Sequence, residues 1–143
     1  MESIKNQKIQ VLGINKYESP VEKNSNYKIK VLTISLKTPT STINVNTVLL
    51  IGKTSAIIFD PSIPVDIIKE NLEGKNVEAI VLTHSHWDHV LSLCECIDTF
   101  KCPIYLNKNS QRKFLDSHIN CSDTHNLNLI FNMSSSVIIT FAS

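Results

Sequence analysis

The sequence predicts an α/β domain, a mixed β-sheet with helices packed on it, and three observations carry that prediction. Two dense apolar runs, Val48-Leu49-Leu50-Ile51 and Ala56-Ile57-Ile58-Phe59, stand on either side of the turn-forming link Gly52-Lys53-Thr54-Ser55, as the strands of a β-hairpin do. The run Ala79-Ile80-Val81-Leu82 is apolar throughout and lies between two segments of helical periodicity, the pattern of a strand buried on both faces of a sheet. A chain of 143 residues with 42% apolar side chains is long enough for one domain that buries a core.

The elements follow in order. Lys8 to Ile14 reads as a short edge strand, and Lys28-Ile29-Lys30-Val31-Leu32-Thr33-Ile34 opens with the polar/apolar alternation of a half-buried strand. Residues 15–27 and 36–46 are rich in Asn, Ser, Thr and Pro and read as loops. After the hairpin, Pro64 suits the first position of a helix running to about Leu72; Val65, Ile68 and Leu72 share one face and Gly74 follows as the stop. Beyond Ala79–Leu82, a second helix is predicted from Asp88 to about Phe100, with Val90, Leu91, Leu93, Cys94 and Ile97 as its apolar stripe. Pro103 to Leu106 reads as a further parallel strand, Ser110 to Ser117 as a short helix capped by Ser110, and Leu127–Phe131 and Val137–Phe141 as two more strands.

Composition narrows the function classes. A net charge of +1 gives no basic stripe for nucleic acid and no polybasic patch for a membrane surface. No apolar run approaches the roughly 18 residues of a membrane span, and Met1 to Pro20 has no signal-peptide core. The expected compartment is the cytoplasm, with Cys94, Cys96, Cys102 and Cys121 as reduced thiols.

The chemistry concentrates directly after the buried strand, in Thr83-His84-Ser85-His86-Trp87-Asp88-His89. Three histidines and an aspartate leaving a strand end can converge. Imidazole nitrogen and carboxylate oxygen are ligands zinc accepts at roughly 2.0–2.2 Å, and iron or manganese suits the same donors. The spacing allows His84 and His86 to hold one ion while Asp88 and His89 hold a second, the two roughly 3.5–4 Å apart. The alternative is a purely structural histidine cluster. His118 and His125 read as surface residues, and Cys94, Cys96 and Cys102 as small apolar side chains rather than ligands.

This segment resembles the signature motif of the metallo-β-lactamase superfamily. Ala56-Ile57-Ile58-Phe59-Asp60-Pro61 is similar to the family's strand that ends in a buried aspartate before a helix. The resemblance implies that Asp60 supports the metal loop through hydrogen bonds, that His84, His86, Asp88 and His89 are metal ligands, and that Asp88 also orients the attacking nucleophile. It implies a zinc-dependent hydrolase of ester or thioester bonds. Pro103–Leu106, Phe114-Leu115-Asp116 and Asn120-Cys121-Ser122 resemble the glyoxalase II-like members, which points to a hydroxyacyl-glutathione thioester as substrate.

The likeness covers the first half of the family fold, half of an αββα sandwich with helices on one face of the sheet. The family's glycine pair after the motif is replaced by Leu91 and Ser92, and no Gly-His segment follows His89. The ligands that the family's second half supplies therefore have no counterpart, and the expectation is a truncated domain. Such a chain would self-associate, borrow ligands from a complementing chain, or persist as an inactive metal-binding remnant. An RNA-processing nuclease, another activity of the superfamily, ranks behind these because the charge balance gives it no support.

Overall fold

The computed structural model of the chain describes residues 10–18, 26–83, 86–107 and 138–141. Among the described residues, seven strands form one sheet in sequence order: β1 (Gln10–Glu18), β2 (Lys28–Lys37), β3 (Thr42–Ile51), β4 (Ser55–Phe59), β5 (Asn76–Val81), β6 (Ile104–Asn107) and β7 (Ile138–Phe141). The first four are antiparallel neighbours, and β4 to β7 run parallel. Helix α1 (Val65–Asn71) connects β4 to β5, and helix α2 (Leu93–Phe100) connects β5 to β6. The sheet is thus mixed, as predicted. The expected helix Ser110–Ser117 and strand Leu127–Phe131 lie outside the described residues.

Alternation decides which face is covered. Leu32, Ile34 and Leu36 of β2, Val45 and Leu49 of β3, and Ile58 of β4 are buried and join one core with Ile68 of α1 and Leu93, Cys96 and Ile97 of α2. Successive strand residues point to opposite faces, so the residues between them are aligned on the other face. There Val31, Val48, Leu50, Ile57, Phe59, Val81 and Tyr105 are half-buried. Helices cover the first face and supply the apolar side chains that its strands require.

Two predicted loops are partly strand. β1 extends into segment 15–27, and segment 36–46 is a tight hairpin. Thr38 closes that hairpin: its hydroxyl accepts from the backbone N–H of Ser41 (3.1 Å) and Thr40 (3.3 Å), and Thr38 N–H donates to Ser41 O (2.8 Å). The polar residues that read as loop are cross-strand partners on the half-exposed face, with Thr33 bonded to Asn46 and Ser35 to Asn44, each at 2.6 Å. Such pairs satisfy polar side chains within a ladder.

The predicted helix from Asp88 also begins later. Trp87–His89 form a single 3₁₀ turn, with His89 N–H on His86 O (3.0 Å) and Val90 N–H on Trp87 O (3.2 Å). Ser92 then sends its N–H to Pro61 O (2.9 Å) instead of back along the chain, and α2 starts only at Leu93. Trp87, 2% exposed, pins the turn into the core.

Candidate metal centre

The site forms where β4 and β5 end side by side. Asp60 extends the parallel ladder by one bond, its N–H on Val81 O at 3.0 Å, and then turns the chain with φ of 53°. That is the left-handed region, which non-glycine residues rarely enter and Asp tolerates better than most. Asp60 is 8% exposed, so its carboxylate needs partners.

Those partners come from the motif segment. Asp60 Oδ1 accepts from Thr83 N–H (2.8 Å), and Oδ2 accepts from Thr83 Oγ1 (2.5 Å). The same Oδ2 stands 3.2 Å from His89 Nδ1. One buried carboxylate thereby ties the residue that enters the motif to the residue that ends it. The hydrogen bond to Asp60 raises the His89 pKa above its usual value; burial opposes the rise, and the charges of Asp88 and Asp60 add to it.

A proton held on Nδ1 by Asp60 leaves Nε2 as the ring's donor atom for a metal, the arrangement that outer carboxylates impose on ligating imidazoles. His89 Nε2 lies 3.7 Å from Asp88 Oδ2. Two ligand atoms at about 2.0–2.2 Å from one tetrahedral ion stand roughly 3.3–3.6 Å apart. The pair therefore suits a shared divalent ion in chemistry, and its spacing of 3.7 Å is slightly wider than one tetrahedral ion sets, so the two atoms would close by about 0.1 Å or more around it. His86 is exposed at the head of the 3₁₀ turn. His84 lies outside the described residues, as do His118, His125 and Cys121. Among the described residues, no three His, Cys, Asp or Glu side chains gather closely enough to hold an ion by themselves.

Cys94, Cys96 and Cys102 lie on or just after α2. Burial pushes the Cys96 thiol up to about 12 and raises Cys102 too. Both are neutral thiols packed in the core, consistent with the sequence reading.

Sequence reasoning passed over Thr47 and noted Ser92 only as a departure from the family's glycine pair. Thr47, fully buried in β3, donates to Asp60 O (2.9 Å) and accepts from Ser62 N–H (2.8 Å) and Ile63 N–H (3.3 Å). Ser92, also fully buried, donates its hydroxyl to Ile63 O at 2.6 Å. The signal for both was a hydroxyl in an otherwise apolar register: Thr47 between Val45 and Leu49, and Ser92 within Val90-Leu91-Ser92-Leu93.

Comparison with known proteins bears on the family and the fold. The family profile described as "Metallo-beta-lactamase superfamily" matches residues 41–139. The probable metallo-hydrolase YqgX of Bacillus subtilis (strain 168) is 33% identical over 86 residues, covering 59% of this chain and 41% of that protein. Among solved structures, the BLEG-1 B3 metallo-β-lactamase superposes with a TM-score of 0.62 at 27% identity over 72% of this chain and 51% of its own. A metallo-β-lactamase from Pontibacter korlensis gives a TM-score of 0.56 at 15% identity, covering 90% of this chain and 54% of its own. The mono-zinc form of FIM-1 from Pseudomonas aeruginosa gives 0.52 at 15%, covering 82% and 51%. The last two likenesses concern the fold alone. The chain spans about half the length of these relatives.

Proposed function

The chain belongs to the metallo-β-lactamase superfamily, and from that premise we propose that it is a metal-dependent hydrolase of ester or thioester bonds. The observation that carries the reading is the Asp60–His89–Asp88 arrangement: Asp60 Oδ2 at 3.2 Å from Nδ1, and Asp88 Oδ2 at 3.7 Å from Nε2. In this reading His84 and His86 hold one divalent ion, and Asp88 and His89 hold a second, with zinc favoured and iron or manganese suited to the same donors. When bound, the ion supplies Lewis acidity and lowers the pKa of water toward about 7.

The chain's own residues do the rest. Asp60 accepts hydrogen bonds from Thr83 and faces His89, which fixes the imidazole's orientation. Asp88, 30% exposed at its side chain, accepts a hydrogen bond from the attacking water and orients it toward the carbonyl. A hydroxyacyl-glutathione thioester is the first substrate class to assay, and the cytoplasm the expected compartment.

One observation favours a second reading, a metal-binding remnant without turnover. Among the described residues no set of three ligands closes.

The test is thioester hydrolysis by the full chain loaded with zinc, beside His84→Ala and Asp88→Ala. Turnover abolished by either substitution supports the hydrolase. Metal uptake without turnover supports the remnant, and turnover that survives both substitutions refutes this site.

A further inference from the structure

We propose that Thr47 is a positioning residue: its hydroxyl sets the conformation of Asp60–Ile63 and so aims the Asp60 carboxylate at the motif loop. The proposal rests on the reading of that loop as a metal site and names a further residue on which its geometry depends.

Thr47 lies in the inward register of β3 and is 0% exposed. A hydroxyl has one donor and two acceptor positions, and here all three are used. It donates to Asp60 O at 2.9 Å and accepts from Ser62 N–H at 2.8 Å and Ile63 N–H at 3.3 Å. None of these bonds belongs to a strand ladder or a helix. All three go to the segment that leaves β4 in a left-handed turn at Asp60, with φ of 53°. A non-glycine residue persists there only when its surroundings over-determine the conformation, and the Thr47 hydroxyl grips the backbone on both sides of Pro61.

The consequence reaches the motif through Asp60. With the backbone turned in this way, Asp60 Oδ1 meets Thr83 N–H at 2.8 Å and Oδ2 meets His89 Nδ1 at 3.2 Å. The far end of the loop lands on the same segment, because Ser92 N–H donates to Pro61 O and Ser92 Oγ to Ile63 O. Residues 60–63 are thus a template on which the loop from Thr83 to Ser92 is laid from both ends. Thr47 is the side chain that shapes the template, and its three hydrogen bonds all go to backbone atoms of residues 60–63.

The experiment compares wild type with Thr47→Val, nearly the same shape without the hydroxyl, and Thr47→Ser, which keeps it. The first readout is amide hydrogen exchange of the metal-free full chain. Thr83 N–H reports the Asp60 carboxylate, and Leu82 N–H, bonded to Tyr105 O at 2.9 Å, reports the sheet. Thr47→Val is expected to speed Thr83 exchange about tenfold relative to Leu82, with Thr47→Ser close to wild type. The second readout is cobalt(II) affinity, expected to fall about tenfold in Thr47→Val and to recover in Thr47→Ser. Thr83 protection unchanged in Thr47→Val overturns the proposal. Should Thr47→Val not fold, Thr47→Ala carries the same two comparisons. A wild type that takes no cobalt defeats the metal reading, while Thr83 exchange still decides the role of Thr47.

Discussion

Two charged clusters sit at opposite ends of the sheet, and they differ in what they leave available. Where β2 begins, Lys30 is buried, 5% exposed at its side chain, and donates to Asn71 O at the end of α1 (2.9 Å). It also pairs with Glu73 (3.0 Å) and Glu18 (3.3 Å), while Lys28 holds Glu73 from the other side at 2.6 Å. These bonds lock α1 and β1 to β2. Where β4 and β5 end, Asp60 binds Thr83 and faces His89, but the outward side of that cluster brings His89 Nε2 and Asp88 Oδ2 to 3.7 Å. The first cluster uses its charges on one another. The second uses one carboxylate internally and leaves His89 Nε2 and Asp88 Oδ2, the pair proposed as metal donors, 3.7 Å apart.

Breaking the anchoring charged side chain of each cluster should separate the two roles. Asp60→Asn is expected to weaken zinc or cobalt binding by about 10–100-fold, and to cost the metal-free chain about 1–2 kcal/mol in urea unfolding because a charged acceptor is lost. Lys30→Met keeps most of the buried stem. It is expected to cost about 1–2 kcal/mol, a range discounted because Glu73 and Glu18 are well exposed, and to leave cobalt affinity unchanged. Equal effects of the two substitutions on metal affinity would erase the distinction between the clusters.

A smaller effect separates two buried serines beside the site. Ser92 Oγ donates to Ile63 O at 2.6 Å, whereas Ser62 Oγ is the side-chain atom among the described residues that is buried without a partner. A buried hydroxyl without a hydrogen bond is destabilising. Ser62→Ala is therefore expected to gain up to about 1 kcal/mol, and Ser92→Ala to lose about 1 kcal/mol, in the same urea titration.

The clusters should also fail at opposite ends of the pH scale. Hydrogen bonds from Lys28 and then Lys30 hold the Glu73 pKa below its ordinary 4.5. Its contribution is present above about 4.5 and is lost as pH falls through the lower folded value. The His89 pKa is raised above 6.5, first by the bond to Asp60. Its contribution is full below about 6.5 and is lost as pH rises through the higher folded value. In chelator-treated protein, the difference in melting temperature between wild type and His89→Gln should shrink with rising pH. The difference between wild type and Glu73→Gln should shrink with falling pH.

Much of this was legible in the sequence because it depends on local pattern. The apolar runs Val48–Ile51, Ala56–Phe59 and Ala79–Leu82 became β3, β4 and β5, and Asp60 fell at a strand end beside the motif as the resemblance implied. Segment 36–46 was misread because its polar residues are satisfied across strands, by Thr33–Asn46 and Ser35–Asn44, and pairing between strands is invisible to a one-strand reading. The start of α2 was misplaced for a related reason: Ser92 N–H goes to Pro61 O, a bond between residues thirty-one apart. Thr47 went unnoticed because its three bonds are also non-local. Local periodicity finds the elements, whereas the hydrogen bonds that aim the site depend on which strand ends meet.

The most direct test is metal content: zinc, iron and manganese per chain in protein purified without chelators, beside the His84→Ala/His86→Ala double variant. The expected result is at least one divalent ion per folded parent chain, lost or sharply reduced in the variant. A folded parent without metal, or a variant that keeps the parent's full content, would contradict the assignment of this loop as the metal centre.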